Sequence, residues 1–300
     1  MALIPYDDRD GWMWFDGKLV PWREAQLHVC SHGLHYGSCV FEGERVYDGI
    51  TFKLQEHTER LFHSARILGF EIPYTVAEIN RACEQVIEAQ KIKDGYLRPV
   101  AWRGSEMMGV SAQQSRIRVA IASWEWPAYF TPEARLKGIR MQISKWRRPA
   151  PDTAPTDSKA AGLYMICTLS KHKAEAEGYN DALMFDWRGQ VAEATGANIF
   201  FVKDGEIHTP KADCFLNGIT RQTVIALAHA HGYKVHERAI MPSELPSFEE
   251  AFITGTAVEV TPVREIDTMT FKAGEITKTL LTAFDKLVRQ KPAAAKSAAE

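Results

Sequence analysis

The chain has no cysteine pair at C-x-x-C spacing. Its five cysteines, Cys30, Cys39, Cys83, Cys167 and Cys214, follow no regular framework, which argues against structural disulfides and for a reducing compartment. No apolar run approaches the length of a membrane span, and the opening "MALIPYDDRDGW" has no basic segment leading into an apolar one. A span and a secretory signal are therefore not expected, and the cytoplasm is the expected location. Neither sign of charge is in excess, with 36 Lys and Arg against 38 Asp and Glu and a net charge of -2, so nothing electrostatic points to nucleic acid or membrane partners. There is no internal repeat. What is present is an ordinary globular composition, 45% apolar and 25% charged over 300 residues, enough for two modest domains.

Punctuation along the chain divides it. Asp16-Gly17, Asp48-Gly49 and Asp204-Gly205 each stand between apolar stretches, the pair favoured by tight hairpins. In "LQEHTERLFHSARILGF" Leu61, Ala65 and Leu68 share one helical face and Gly69 is placed to end the helix. "TVAEINRACEQVIEAQKI" reads as a second helix capped by Thr75. "GYLRPVAWRG", "RIRVAIASWEW", "IRMQISKW", "DALMFDW" and "ANIFFV" read as strands, and "EAFITGTAVEVTPV" as a buried strand broken at Gly255. The irregular alternation argues for two α+β domains rather than a doubly wound sheet. The boundaries expected are a small domain over 1–126, a linker over 127–136 marked by two prolines, a larger domain over 137–288 and a disordered tail over 289–300.

Four signals could carry chemistry. In "PTDSKAAGLYMICTLSKHKAEAEG" Lys159 stands where a helix should begin, at the positive end of its dipole, where a neutral and hence nucleophilic amine is favoured over an ammonium. "EATGANIFFVKDGEIHTPKADCFLNGITRQ" leads to a glycine-started helix at Gly218-Ile219-Thr220, whose free N-H groups suit an anion. "TGTA", Thr254 to Ala257, offers a second turn of that kind. Arg60 lies one residue before the apolar stripe of its helix and could turn its fork inward. Singly, each has a commoner structural explanation: a solvated lysine or arginine, a capped helix, a strand end. The cluster of His28, His32 and His35 with two cysteines has no zinc-site spacing, so packing and hydrogen bonding are expected of it and no metal.

Taken together these stretches resemble a family. "EATGANIF", "IHT" and "LNGITR", in order and spacing, with "SHGLHYGSCVFEGER", "EHTERL", "GYLRP", "DSKAAGLY" and "FITGTAVEVTPV", are similar to the fold-type IV (class IV) aminotransferases, closest to those acting on branched-chain amino acids. The resemblance covers about residues 12 to 285. It implies the α+β, two-domain architecture typified by D-amino acid aminotransferase and pyridoxal 5'-phosphate as cofactor. The implied reaction is ping-pong amino transfer between leucine, isoleucine or valine and 2-oxoglutarate.

The resemblance also implies roles. Lys159 would hold the cofactor as a Schiff base and move the substrate proton, Glu193 would face the pyridine nitrogen, and Tyr164 the phenolic oxygen. An ideal helix would put Tyr164 about 140° around from Lys159, so the helix proper is expected to start after the lysine. Arg60, Gly218, Ile219, Thr220 and Thr256 would cup the phosphate. Tyr96 with Thr256 and Ala257 would take the substrate α-carboxylate, Arg98 the distal carboxylate of glutamate, and Tyr36, Phe41 and Trp126 would form apolar walls. The loop "SEMMGV" would enter a second subunit through Val110, making a homodimer with room for further assembly.

One departure stands out: Glu44 occupies a place after "FEG" that is usually aliphatic, so it either turns away from the pocket or alters substrate range. D-amino acid transaminases carry an Arg-x-His pair where this chain has Met107-Met108-Gly109, which argues against D-substrates. Aminodeoxychorismate lyase and R-selective amine transaminases share the cofactor apparatus and remain alternatives, as do a catalytically idle cofactor binder and a zinc-binding module.

Overall fold

The structure, a computed structural model, describes residues 4–126 and 137–290. The expected linker 127–136 and most of the expected tail lie outside the described residues.

The first half builds one sheet backed by two helices. Its strands are β1 (Trp12–Phe15), β2 (Lys18–Pro21), β3 (Cys39–Phe41), β4 (Glu44–Tyr47), β5 (Ile50–Thr51), β6 (Gly95–Arg103) and β7 (Ile117–Glu125), with a short α1 (His32–Tyr36) after β2. They lie in the order β2-β1-β7-β6-β4-β5, with β3 also on β6. The helices α2 (Leu54–Ile67) and α3 (Val76–Gln90) cover one face, where Leu61, Ile79, Val86, Leu97, Val119 and Ile121 make a closed core. Thr75 caps α3 in a reciprocal capping box with Glu78, and Gly69, at φ 69°, turns the chain after α2.

The second half is a nine-stranded sheet that closes on itself. Its strands are β8 (Ile139–Arg148), β9 (Asp181–Asp186), β10 (Val191–Ala194), β11 (Asn198–Lys203), β12 (Glu206–Pro210), β13 (Val235–Arg238), β14 (Glu250–Gly255), β15 (Glu259–Ile266) and β16 (Met269–Thr270). The order β10-β9-β8-β15-β14-β11 is completed by a β10–β11 pairing, a ring that leaves none of these six strands with a bare edge. The helices α4 (Tyr164–Ala176), α5 (Ile219–Ala230) and α6 (Glu275–Val288) belong to this half.

Strand alternation sorts the ring's two faces. Ile199, Phe201, Ala251, Ile253, Val263 and Met141 form one apolar cluster. The alternate residues Phe200, Val202 and Phe252 form another with Val224 of α5 and Leu280 and Phe284 of α6. On the latter face Glu193 lies opposite Asn198, and Asn198 opposite Thr254. Three polar side chains thus stand in one cross-strand row at the end of the α5-covered face.

Candidate active site

Lys159 does not begin a helix. Its carbonyl accepts the Phe41 N-H at 3.2 Å and Ala160 bridges to Val40, so that carbonyl is engaged by β3 instead of starting a helical ladder. A short 3-10 turn, Ala161–Leu163, follows, and α4 starts at Tyr164, after the lysine as expected. The loop is pinned from α2 as well: Ser64 Oγ accepts the Lys159 N-H at 2.9 Å, and its carbonyl accepts the Ser158 hydroxyl at 3.0 Å. So held, the half-buried lysine donates from Nζ to the Tyr164 hydroxyl at 2.9 Å.

Both face a pocket between the two sheets, also lined by Glu193, Arg60, Gly218, Ile219, Thr220, Thr256, Ala257 and Tyr96. Ten of the residues singled out in the sequence thus meet in one cavity. Phe41 joins them, its ring 4.9 Å from that of Tyr164 and 5.2 Å from Lys159 Nζ. Arg98 lies over Phe41 at 4.7 Å and donates to the Tyr96 hydroxyl at 3.3 Å. The Trp126 ring is 5.3 Å from that of Tyr96.

Tyr36 needs correcting as a wall of its own chain's pocket, whereas Val110 is expected to reach a second subunit. Tyr36 is 47% and Val110 85% exposed, and neither lines it. The Tyr36 hydroxyl donates to the Met108 carbonyl at 3.0 Å, so the tyrosine goes with the 105–110 loop, away from its own chain's cavity. Glu44 is also resolved: it pairs with Leu97 across the sheet and points with it into the core under α2 and α3, on the side opposite Tyr96.

Several neighbours were not foreseen. Arg60 is gripped by Glu42, donating from Nε and Nη2 to the two carboxylate oxygens at 2.7 and 2.8 Å, and His57 Nδ1 donates to Glu42 at 2.7 Å. Burial pushes the Glu42 carboxyl up, but Arg60 and His57 outweigh it and hold it far below the usual carboxylate range. This fixes the guanidinium at the pocket with its remaining donors free for a ligand. Asn198 donates to the Leu216 carbonyl at 3.0 Å and accepts the Gly218 N-H at 3.2 Å. A Cβ on Gly218 would overlap that Asn198 oxygen, so only glycine permits this approach at the head of α5. The buried Arg221 holds the same turn through the Asn217 side chain at 2.9 Å and the Pro210 carbonyl at 3.0 Å. No sequence pattern marked Glu42, His57 or Ser64, and Glu42 sat unremarked inside "FEGER"; Asn198 stood out as the asparagine closing the run from Glu193, but without a role.

The histidine cluster is engaged in hydrogen bonds. His32 contacts Ser38 Oγ and the Gly109 carbonyl, both at 3.0 Å, and His35 contacts the Val29 carbonyl at 2.7 Å. The carboxylates of Asp186 and Asp213, which lie beside Cys214, are bridged by Arg188 at 2.7 and 2.8 Å, so a cation already sits there.

The donor set fits a flat phosphorylated aldehyde. A primary amine stands beside a phenol, a buried carboxylate faces the same space, and Arg60 with the unpaired N-H groups at the head of α5 can receive a dianion. The Thr254 hydroxyl, buried at the same cavity, has no hydrogen-bond partner. This combination defines an enzyme of amine and carbonyl chemistry. The amino-transferase class IV family matches residues 39–266. A branched-chain-amino-acid aminotransferase of Pseudomonas aeruginosa is 44% identical over 95% of each chain. Among solved structures, the branched-chain amino acid aminotransferase of Escherichia coli superposes with a TM-score of 0.90 at 38% identity, covering 93% of this chain and 95% of that one. The branched-chain amino acid aminotransferase of Thermobaculum terrenum, in its PLP-bound holo form, does so with a TM-score of 0.84 at 30% identity, covering 94% and 95%. The chain belongs to the class IV aminotransferases, and its fold is theirs.

Proposed function

We propose that the chain transfers the amino group between L-leucine, L-isoleucine or L-valine and 2-oxoglutarate, using pyridoxal 5'-phosphate. The observation that carries this is the meeting of Lys159, Tyr164 and Glu193 in one cavity with Arg60 and the head of α5, in a chain whose relatives carry that name. When bound, the cofactor supplies an aldehyde for the amino group and a ring that takes up the electron pair left as the Cα-H bond breaks.

The protein's part is positioning and proton transfer. Lys159 Nζ takes the substrate Cα proton and holds it for return, and the Tyr164 hydroxyl beside it keeps the amine aimed. Glu193 holds negative charge toward the ring nitrogen. Arg60, fixed by Glu42, and the N-H groups of Ile219 and Thr220 receive the phosphate, with Gly218 giving the backbone its close approach and Thr256 completing the cup. Tyr96 and the Thr256-Ala257 turn receive the α-carboxylate. Arg98 receives the distal carboxylate of glutamate, while Phe41 and Trp126 face a branched side chain. Residues 1–126 and 137–288 act as the two domains flanking the cleft.

A second copy of the chain completes the pocket through Tyr36 and Val110, making a homodimer. Support comes from Val29, Leu34, Tyr36, Met108 and Val110, all exposed, on segments tied together by the His32, His35 and Tyr36 hydrogen bonds. Five unpaired cysteines favour a reducing compartment, the cytoplasm. Among the described residues no helix is long and apolar enough to cross a membrane.

The test is the visible spectrum of the purified protein with cofactor. The band should bleach on adding L-leucine and return with 2-oxoglutarate. A band indifferent to leucine would refute the substrate, and turnover by Lys159→Ala at the wild-type rate would refute the mechanism.

A further inference from the structure

Glu193 is not left to face a ligand alone. Its Oε1 lies 3.3 Å from Nε of Arg148, the last residue of β8, which is 4% exposed. That Nε forms no hydrogen bond: the approach meets the distance of an ion pair without the angle of a hydrogen bond. Nη1 of the same guanidinium donates to Cys167 Sγ at 3.6 Å. The other carboxylate oxygen faces Asn198 Nδ2 at 3.4 Å.

The charged and titratable groups around this carboxylate are few. Lys159 comes from its loop, Tyr164 and Cys167 from α4, Cys214 from the segment before α5, and Asp181 of β9 stands behind Cys167. Arg188, with Asp186 and Asp213, acts on Cys214, but the cations acting on Glu193 itself are Arg148 and Lys159, and Lys159 must be neutral whenever it acts as nucleophile or base. Arg148 cannot release its proton in a protein. Of the two cations acting on Glu193, it is the permanent one.

We propose that Arg148 is a positioning residue whose fixed charge tips the Glu193 carboxyl toward its ionised form, so that a proton shared with a facing ring nitrogen stays on the nitrogen. The inference rests on the role of Glu193 given above. Burial works against it and outweighs Arg148, foremost among the groups pulling the other way, so that on balance the carboxyl is raised to about 7. At neutral pH the carboxyl therefore stands near half-ionisation even with the arginine in place. Without it the carboxylate would take the shared proton and become the neutral acid, leaving the ring nitrogen unprotonated and weakening the ring's hold on the electron pair.

The experiment titrates Glu193 itself. Full-length chain with ¹³C-labelled glutamate is followed by infrared spectroscopy across pH, free of cofactor and loaded, and the carboxyl is assigned by subtraction of the Glu193→Gln spectrum. In Arg148→Met the cofactor-free midpoint should rise by about 1–3 pH units, while Arg148→Lys should titrate with the wild type. In loaded Arg148→Met, kcat should fall at least about tenfold with KM little changed, and Arg148→Lys should restore most of it. If Arg148→Met does not fold, Arg148→Gln, which keeps a polar group against Cys167, takes its place with the same expectation. An unchanged midpoint in the charge-free variant would overturn the proposal, as would an equal rise in Arg148→Lys. Failure of the cofactor reading would look different: wild-type chain would take up no pyridoxal phosphate although the midpoints still separated.

Discussion

Glu44 offers the sharpest test of how the small domain is built. Its side chain is fully buried, both carboxylate oxygens lack a hydrogen-bond partner, and Leu97 and Val46 share its side of the sheet. Burial, reinforced by the charge of Glu42, holds its carboxyl well above the ordinary value of 4.5. In the fold it is therefore a neutral acid, whereas in the unfolded chain it ionises above 4.5. The unfolded state then binds fewer protons, so this residue's effect on stability worsens as pH rises from there toward its folded-state value, by about 1.4 kcal/mol per pH unit. An unpartnered polar group adds a penalty of about 1–3 kcal/mol at any pH. Glu44→Gln should remove the first effect, and Glu44→Leu, of similar size and apolar, both. Urea unfolding of the three proteins at pH 5, 6 and 7 measures this. Glu44→Leu should exceed wild type by about 1–3 kcal/mol at pH 5, with the gap widening by about 1.4 kcal/mol per unit. Transaminase activity should persist, since the side chain faces away from the pocket. A gap that stays constant with pH, or a Glu44→Leu protein less stable than wild type, would refute the buried neutral acid.

Three further perturbations probe the cavity. Gly43→Ala would drive a methyl into the Tyr96 hydroxyl, so Tyr96 must move; KM for the amino acid should rise at least about tenfold, a loss of about 1.4 kcal/mol, with cofactor binding unchanged by absorbance titration. Glu42→Ala strips Arg60 and His57 of their buried partner and should cost about 3–5 kcal/mol in stability, together with weaker cofactor binding; denaturation and dialysis measure the two. Ser64→Ala removes the side-chain acceptor of the Lys159 N-H and should cost about 1–3 kcal/mol, with kcat falling more than KM rises in steady-state kinetics.

Much of this molecule was readable from its sequence because local chemistry wrote it. Asp16-Gly17, Asp48-Gly49 and Asp204-Gly205 all adopt positive φ at both positions, the turn geometry that Asp-Gly tolerates and most pairs do not. Thr75 and Glu78 cap a helix across three residues. The family's composite motif reaches further, bringing to one cavity Lys159 and Glu193, whose elements the sequence separates. Where reasoning stayed local it failed: Lys159 reads as a helix start, yet its carbonyl bonds to Phe41, more than a hundred residues earlier.

What the sequence determined by itself was the set of turns, caps and apolar periods, and which residues are expected to do chemistry. Only the tertiary structure decided which way Glu44 turns, what steadies Arg60, that Arg148 meets Glu193, and that Tyr36 leaves its own pocket. The physical reason is range. A turn or a cap is set by dihedral preferences and hydrogen bonds within a few residues. The charge on a buried carboxylate is set by whatever the closed sheet and packed helices bring within a few ångströms, and that neighbourhood exists only once the chain has folded.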